Sequence, residues 1–137
     1  MSSKAKITHA MGKRKTSVAR VIIKDGKGCV RVNNSPIHFY EPRYARDKII
    51  ESLIIAGDEV IRSVDIDVKV EGGGRMSQAE AARMGIAQGL VKHKKNTSLR
   101  DAYIAYDRTM ITGDARRTEP KKFGGPSART RKQKSYR

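Results

Sequence analysis

The stretch SVDIDVKVEGGGRMSQAEAARMGIAQGL, residues 63–90, carries two hydrophobic periods one after the other. Val64, Ile66, Val68 and Val70 alternate with Asp65, Asp67 and Lys69, the period of a strand with one buried and one wet face. Beyond Gly72, Gly73 and Gly74, the residues Ala79, Ala82, Ile86 and Leu90 recur at helical spacing. Gly85, Ala87 and Gly89 leave that helix slim enough to lie close on a sheet. Ser77 and Glu80 stand at capping-box spacing and predict the helix start. Lys92, His93, Lys94 and Lys95 complement the carboxyl end of its dipole. A half-wet strand leading straight into such a helix calls for a sheet with a helix laid across it.

Working outward, residues 18–24 and 29–33 are β-branched runs on either side of the Asp25-Gly26 pair, which predicts a hairpin. A second turn is expected at Asn33-Asn34, leading into a short run over residues 37–40. Pro42 suits the first turn of a helix whose stripe is Ala45, Ile49, Ile50, Leu53 and Ile54, with Gly57 closing it. Ser98 and Asp101 repeat the capping spacing ahead of a third helix over residues 99–106. The expected fold class is α+β or α/β: a sheet of about four strands with helices packed on one face. Residues 1–113 form the expected body, and residues 114–137 an extended basic C-terminal arm.

A chain of 137 residues is about one domain and can build a core without staples. Its one cysteine, Cys29, allows no internal disulfide and suits a reducing, cytoplasmic setting. The longest apolar run, residues 53–56, is far short of a membrane span, so no membrane partner is expected.

The net charge of +16 is placed unevenly. Residues 1–20 hold six Lys or Arg and no acid, and residues 114–137 hold nine against Asp114 and Glu119. A near-balanced body with two cationic ends is the charge layout of a nucleic-acid binder. Lys13, Arg14 and Lys15, with the hydroxyls of Thr16 and Ser17, suit phosphate and ribose oxygens. In the arm, Gly124, Gly125 and Pro126 exclude a helix, and Phe123 and Tyr136 are too few to build a core. Its Arg116, Arg117, Lys121, Lys122, Arg129, Arg131, Lys132, Gln133 and Lys134 are therefore read as contacts to RNA, which would supply the counter-charge that orders the segment.

Catalysis finds no support. The triple glycine lacks the Lys-Ser/Thr of a phosphate loop and reads better as a tight strand-to-helix turn beside another backbone. His9, His38 and His93 have no ligand partners at metal spacing, and Asp65 and Asp67 fall on a wet strand face. No cofactor and no metal are expected. A free-standing basic protein that coats DNA or chaperones RNA, and a nucleotide-using enzyme binding at residues 72–74, are the alternatives.

Three blocks, GKRKTSVARV, GGGRMSQAEAARMGIAQGL and DARRTEPKKFGGPSARTRKQKSYR, occur in an order that resembles the family of the universal ninth protein of the small ribosomal subunit. The likeness runs from about Gly12 to Arg137, and the KKFGGP and QKSYR elements are similar to its archaeal and eukaryotic branch. The resemblance implies a non-catalytic protein in the head of the small subunit, with the fold of the C-terminal domain of the fifth small-subunit protein. It implies small-subunit rRNA and neighbouring ribosomal proteins as partners, and an arm that threads through rRNA toward peptidyl-site tRNA. Ser135, Tyr136 and Arg137 would then form the tRNA-contacting tip. Bacterial members carry a lysine just before the final arginine; Tyr136 stands there in this chain, so that phosphate contact does not carry over. A hydroxyl bond or a stacking contact is what Tyr136 could offer instead.

Overall fold

The computed structural model describes residues 5–135. Its strands are β1 (Ile7–Arg14), β2 (Ser17–Asp25), β3 (Val30–Val32), β4 (Ser35–Pro36) and β5 (Val64–Glu71). Its helices are α1 (Arg43–Ala56), α2 (Asp58–Arg62), α3 (Arg75–Lys94), α4 (Thr97–Tyr106) and α5 (Thr109–Thr112), with a 3-10 turn at Ile37–Phe39.

The five strands form one sheet in the order β1-β2-β5-β3-β4, one strand more than expected. Two are additions: β1, antiparallel to β2 and joined to it through Lys15 at φ +51, and the short β4, which takes the place of the run expected over residues 37–40. β2 and β3 do not form the hairpin expected from Asp25-Gly26, because β5 lies between them, antiparallel to β2 and parallel to β3. A turn-forming pair serves a crossover as well as a hairpin, and burial decides between them. β5 carries Val64, Ile66, Val68 and Val70, all 5% exposed or less, and pairs on both sides only in the centre. The 25–29 connection crosses the end of β5 instead. There Gly26 N–H donates to Ser63 O (3.1 Å), and the Asp65 carboxylate accepts from the amides of Lys27, Gly28 and Cys29 (2.9, 3.2 and 3.0 Å). The Cys29 amide bond comes first in holding the Asp65 carboxyl below its ordinary value.

α3 crosses the sheet along β1 and β2, and α1 packs against it. Its residues 81–87 are all buried, and the predicted stripe Ala79, Ala82, Ile86 and Leu90 is fully enclosed. The approach of α3 to β1 is as close as backbones allow. A Cβ on Gly12 would lie 2.0 Å from Ala81 O and 2.5 Å from Gly85 N. Burying Ile23, Ile49, Ile66, Ile86 and Leu90 contributes about 1.5–3 kcal/mol each.

The helix starts differ from the capping reading. α3 begins after Gly74 without a side-chain cap, and the amide of Gln78 already donates to Gly74 O (2.9 Å). Ser77 therefore sits inside the first turn, and Glu80 binds Arg14 rather than reaching back to the Ser77 amide. α4 is capped by Asn96, whose side chain accepts from the amides of Ser98 and Leu99, ahead of the expected Ser98. α1 starts after Pro42 and ends at Gly57 (φ +87). Of its stripe, Ala45 and Ile49 are buried, while Ile54 points to solvent. Residues 37–39 form the 3-10 turn, with Tyr40 as its cap, and not a strand.

His93, expected at the end of the helix dipole, is fully buried. Its Nε2 donates to Asp25 Oδ1 (3.0 Å), since a carboxylate only accepts, and its Nδ1 lies 2.9 Å from Thr8 Oγ1. The imidazole thus ties the end of α3 to β1 and to the end of β2. The bond from His93 also holds the Asp25 carboxyl below its ordinary value.

Candidate nucleic-acid interface

The outer face of the sheet is open and carries Lys13, Arg20, Lys24, Arg31 and Lys69 against Asp65, Asp67 and Glu71. Arg20 and Lys69 both lean on Glu71 (3.7 and 3.1 Å), while Lys13, Lys24 and Arg31 on the same face make no ion pair among the described residues. The densest clusters of cations lie at the ends of the chain.

Lys13, Lys15 and Thr16 are exposed around the β1–β2 turn. Lys13 belongs to β1 and projects from the open face, whereas Arg14, one residue on, belongs to the α3 side. Strand alternation thus splits what reads as one basic run. The Arg14 side chain is only 13% exposed and is engaged inside the protein. Its Nε donates to Glu80 Oε2 (2.7 Å) and its Nη1 to the carbonyl of Arg116 (3.2 Å), with Asp114 Oδ2 at 3.7 Å.

Asp114 in turn takes the forked guanidinium of Arg116, Nε at 3.0 Å and Nη2 at 2.6 Å. Those side-chain bonds, with the Arg116 amide, hold the Asp114 carboxyl far below the usual carboxylate range. Arg14, Glu80, Asp114 and Arg116 form a clasp between the β1–β2 turn, α3 and the root of the C-terminal segment. It brings together two basic tracts about a hundred residues apart, as the separation of 102 between Arg14 and Arg116 records.

A polar cleft of about 230 Å³ sits behind the clasp and ends on Arg83. Arg83 is 6% exposed and donates to Glu51 Oε2 (2.8 Å) and Asp107 Oδ2 (2.9 Å), joining α3 to α1 and to the α4–α5 corner. Burial pushes the Asp107 carboxyl up, but the Thr109 hydroxyl and amide and then Arg83 outweigh it, so the net direction is down. Every cation lining this cleft is paired with a carboxylate: Arg14 with Glu80, Lys48 and Arg83 with Glu51, and Arg116 with Asp114. The cleft is framework, not binding site.

From Ala115 to Ser135 the chain forms neither helix nor strand among the described residues, and it is exposed nearly throughout. It is not a featureless extended chain. Glu119 accepts from Lys122 Nζ and Arg129 Nε, each at 3.1 Å. The amide of Lys132 donates to Gly124 O (2.9 Å), and that of Thr130 to Ser127 Oγ (3.3 Å). Residues 124–132 therefore fold back as a closed loop. Lys121, Lys122, Arg129, Arg131, Lys132 and Lys134 all stand exposed on or beside it, with Glu119 the one acid among them. Arg117, Gln133 and Ser135 are exposed as well, while Tyr136 and Arg137 lie outside the described residues.

The triple glycine serves the turn it was expected to serve. Gly72 and Gly73 have positive φ, and the Gly72 carbonyl accepts from Ser17 Oγ (2.8 Å) and Gln78 Nε2 (3.0 Å). The clasp and the Arg83 pair were not foreseen. The clasp joins residues too distant to relate by pattern. Arg83, however, falls four residues after Ala79 and seven before Leu90, on the buried stripe, and a cation there signals a buried ion pair. Among the described residues no helix is long and apolar enough to cross a membrane.

A family model described as ribosomal protein S9/S16 matches residues 12–137. The chain is 51% identical over 137 residues to the small ribosomal subunit protein uS9 of Desulfurococcus amylolyticus, covering 100% of this chain and 97% of that one. It is 48% identical over 131 residues to the small ribosomal subunit protein uS9 of Halobacterium salinarum, covering 96% and 99% of the two chains. With agreement of this extent along its whole length, the chain belongs to the ribosomal protein S9/S16 family, as a small-subunit ribosomal protein and not an enzyme.

Proposed function

We propose that the chain is an rRNA-binding constituent of the head of the small subunit in cytoplasmic ribosomes, and that its C-terminal arm reaches peptidyl-site tRNA. The observation that carries this reading is the C-terminal segment itself. Six exposed cations against Glu119 alone, on a segment with no core, need an anionic partner. Residues 1–113 act as the body, which docks by shape and by Lys13, Lys15 and Thr16; neighbouring ribosomal proteins cover other faces. Arg14 contributes by holding the root of the arm. Arg116, Arg117, Gln133 and the loop cations meet rRNA phosphates without reading sequence. Fully extended, residues 114–137 would reach roughly 75 Å, against some 35 Å for the body, and the 124–132 loop shortens that reach.

Sedimentation of cell extract through sucrose in about 0.5 M salt, where the Debye length is roughly 4 Å, tests the assignment. The chain should travel with the small subunit. Recovery at the top of the gradient would leave only adhesive charge and favour the coating or chaperone role. The tRNA contact has its own test. Subunits lacking Ser135, Tyr136 and Arg137 should assemble normally and hold peptidyl-site tRNA several-fold more weakly, since one or two charge-assisted contacts are lost. Equal tRNA affinity would remove the tip from the mechanism.

A further inference from the structure

Phe123 is the anomaly of the C-terminal segment. Its ring is fully exposed, the most exposed large apolar side chain among the described residues. An aromatic ring brings on the order of 150–250 Å² of surface to whatever covers it, and here nothing in the chain does. The loop does not turn it inward. Lys122, immediately before it, is fastened to Glu119, and Gly124, immediately after it, accepts the amide of Lys132. Both chain neighbours of the ring are thus tied down. At Gly125 the chain crosses itself so closely that a Cβ would lie 1.7 Å from Thr130 O, which holds the crossing shut. A hydrophobic ring is held outward on a closed loop, in a setting of cations: Lys121 and Lys122 before it, Arg131, Lys132 and Lys134 where the chain returns.

We infer that Phe123 is a base-stacking residue: its ring takes an unpaired base of the small-subunit rRNA while the loop cations hold the flanking phosphates. This deepens the reading of the chain as an rRNA-binding protein and rests on it. The surroundings choose the partner. A protein pocket for a phenylalanine so placed would have to accommodate five nearby cations, whereas an RNA strand brings a phosphate with every base. A base offers a flat face of matching size, and stacking needs no donor or acceptor, of which the ring has none. A paired base is already stacked within its helix, so the ligand is a bulged, looped or single-stranded nucleotide.

The chain contains no tryptophan, so full-length Phe123→Trp places a single reporter at the site. In-vitro-transcribed archaeal small-subunit rRNA is the first probe. A 20-nucleotide RNA single strand, free and annealed to its complement, is the second. Stacking predicts strong quenching of the tryptophan by the rRNA and by the single strand, and little by the duplex at the same phosphate concentration. Phe123→Leu, which keeps an apolar side chain of similar volume, should bind the rRNA about tenfold more weakly at constant salt. The slope of log affinity against log salt should stay as in the unaltered chain, because no phosphate contact is lost. Wild-type affinity in Phe123→Leu, with tryptophan emission unchanged on binding, would overturn the stacking role and leave rRNA binding standing. Failure of the unaltered chain to prefer the rRNA over duplex DNA would instead remove the rRNA-binding reading, and this inference with it.

Discussion

Gly12→Ala is expected to cost the fold about 3 kcal/mol or more, a large part of the 5–15 kcal/mol that stabilises a domain of this size. The new methyl group would meet Ala81 O at 2.0 Å and Gly85 N at 2.5 Å, both backbone atoms of α3. No side chain can turn aside, so β1 must lift from the helix, and Ala10 and Thr8, which share its inner face, must shift with it. Gly85→Ala is the internal comparison. Its methyl group first meets Val21 Cγ2 at 2.7 Å and comes no nearer than 3.2 Å to the Gly12 amide. A side chain can give a little, so about 1–2 kcal/mol is expected there. Urea unfolding of the two variants measures the difference; equal midpoints would mean that β1 and α3 are not held at backbone contact.

Truncation after Gly113 has the largest expected effect on binding. It removes nine of the chain's thirty Lys and Arg together with Asp114 and Glu119, and stops just beyond α5, whose last residue is Thr112. The body should keep its fold. Affinity for small-subunit rRNA should fall by orders of magnitude at low salt. If the six loop cations with Arg116 and Arg117 each neutralise a phosphate, the slope of log affinity against log salt becomes shallower by about 6–7. Titrations at several salt concentrations give that slope directly. An unchanged slope would assign the RNA contacts to the body alone. Arg14 is expected to be the exception among the basic residues of the chain. It is committed to Glu80 and to the Arg116 carbonyl, so Arg14→Met should alter the slope little while freeing the root of the segment.

β5 and α3 were legible because each carries one unbroken hydrophobic period on its inner side. β1 was not, for a reason built into the same contact. Its inner face is Thr8, Ala10, Gly12 and Arg14, so the side that packs against the helix has no large apolar residue to set a pattern. The small side chains that let α3 come close are what hid the strand. The Asp25-Gly26 misreading has the opposite origin: a clear local turn signal whose meaning depended on a strand some forty residues further on. At the candidate interface, residue types identified the cationic tracts but not their division of labour. Alternation along β1 sends Lys13 outward and Arg14 inward, and the loop at residues 124–132 is closed by one backbone bond, Lys132 N–H to Gly124 O, that no side-chain pattern announces.

The placement of β5 between β2 and β3 has a consequence for how the chain is made. A nascent chain that has emerged as far as Arg62 contains β1 to β4 and α1, but nothing to set between β2 and β3. Until residues 64–71 arrive, β2 offers one unpaired edge and β3 another, and the sheet cannot close. Nor can its inner face be covered, because α3 begins only at Arg75. The apolar side chains of β2 stay open to water, and to other chains, until about two-thirds of the protein has been synthesised. Completion of the body is thus a late and concerted step, with the cationic segment the last part to follow it out.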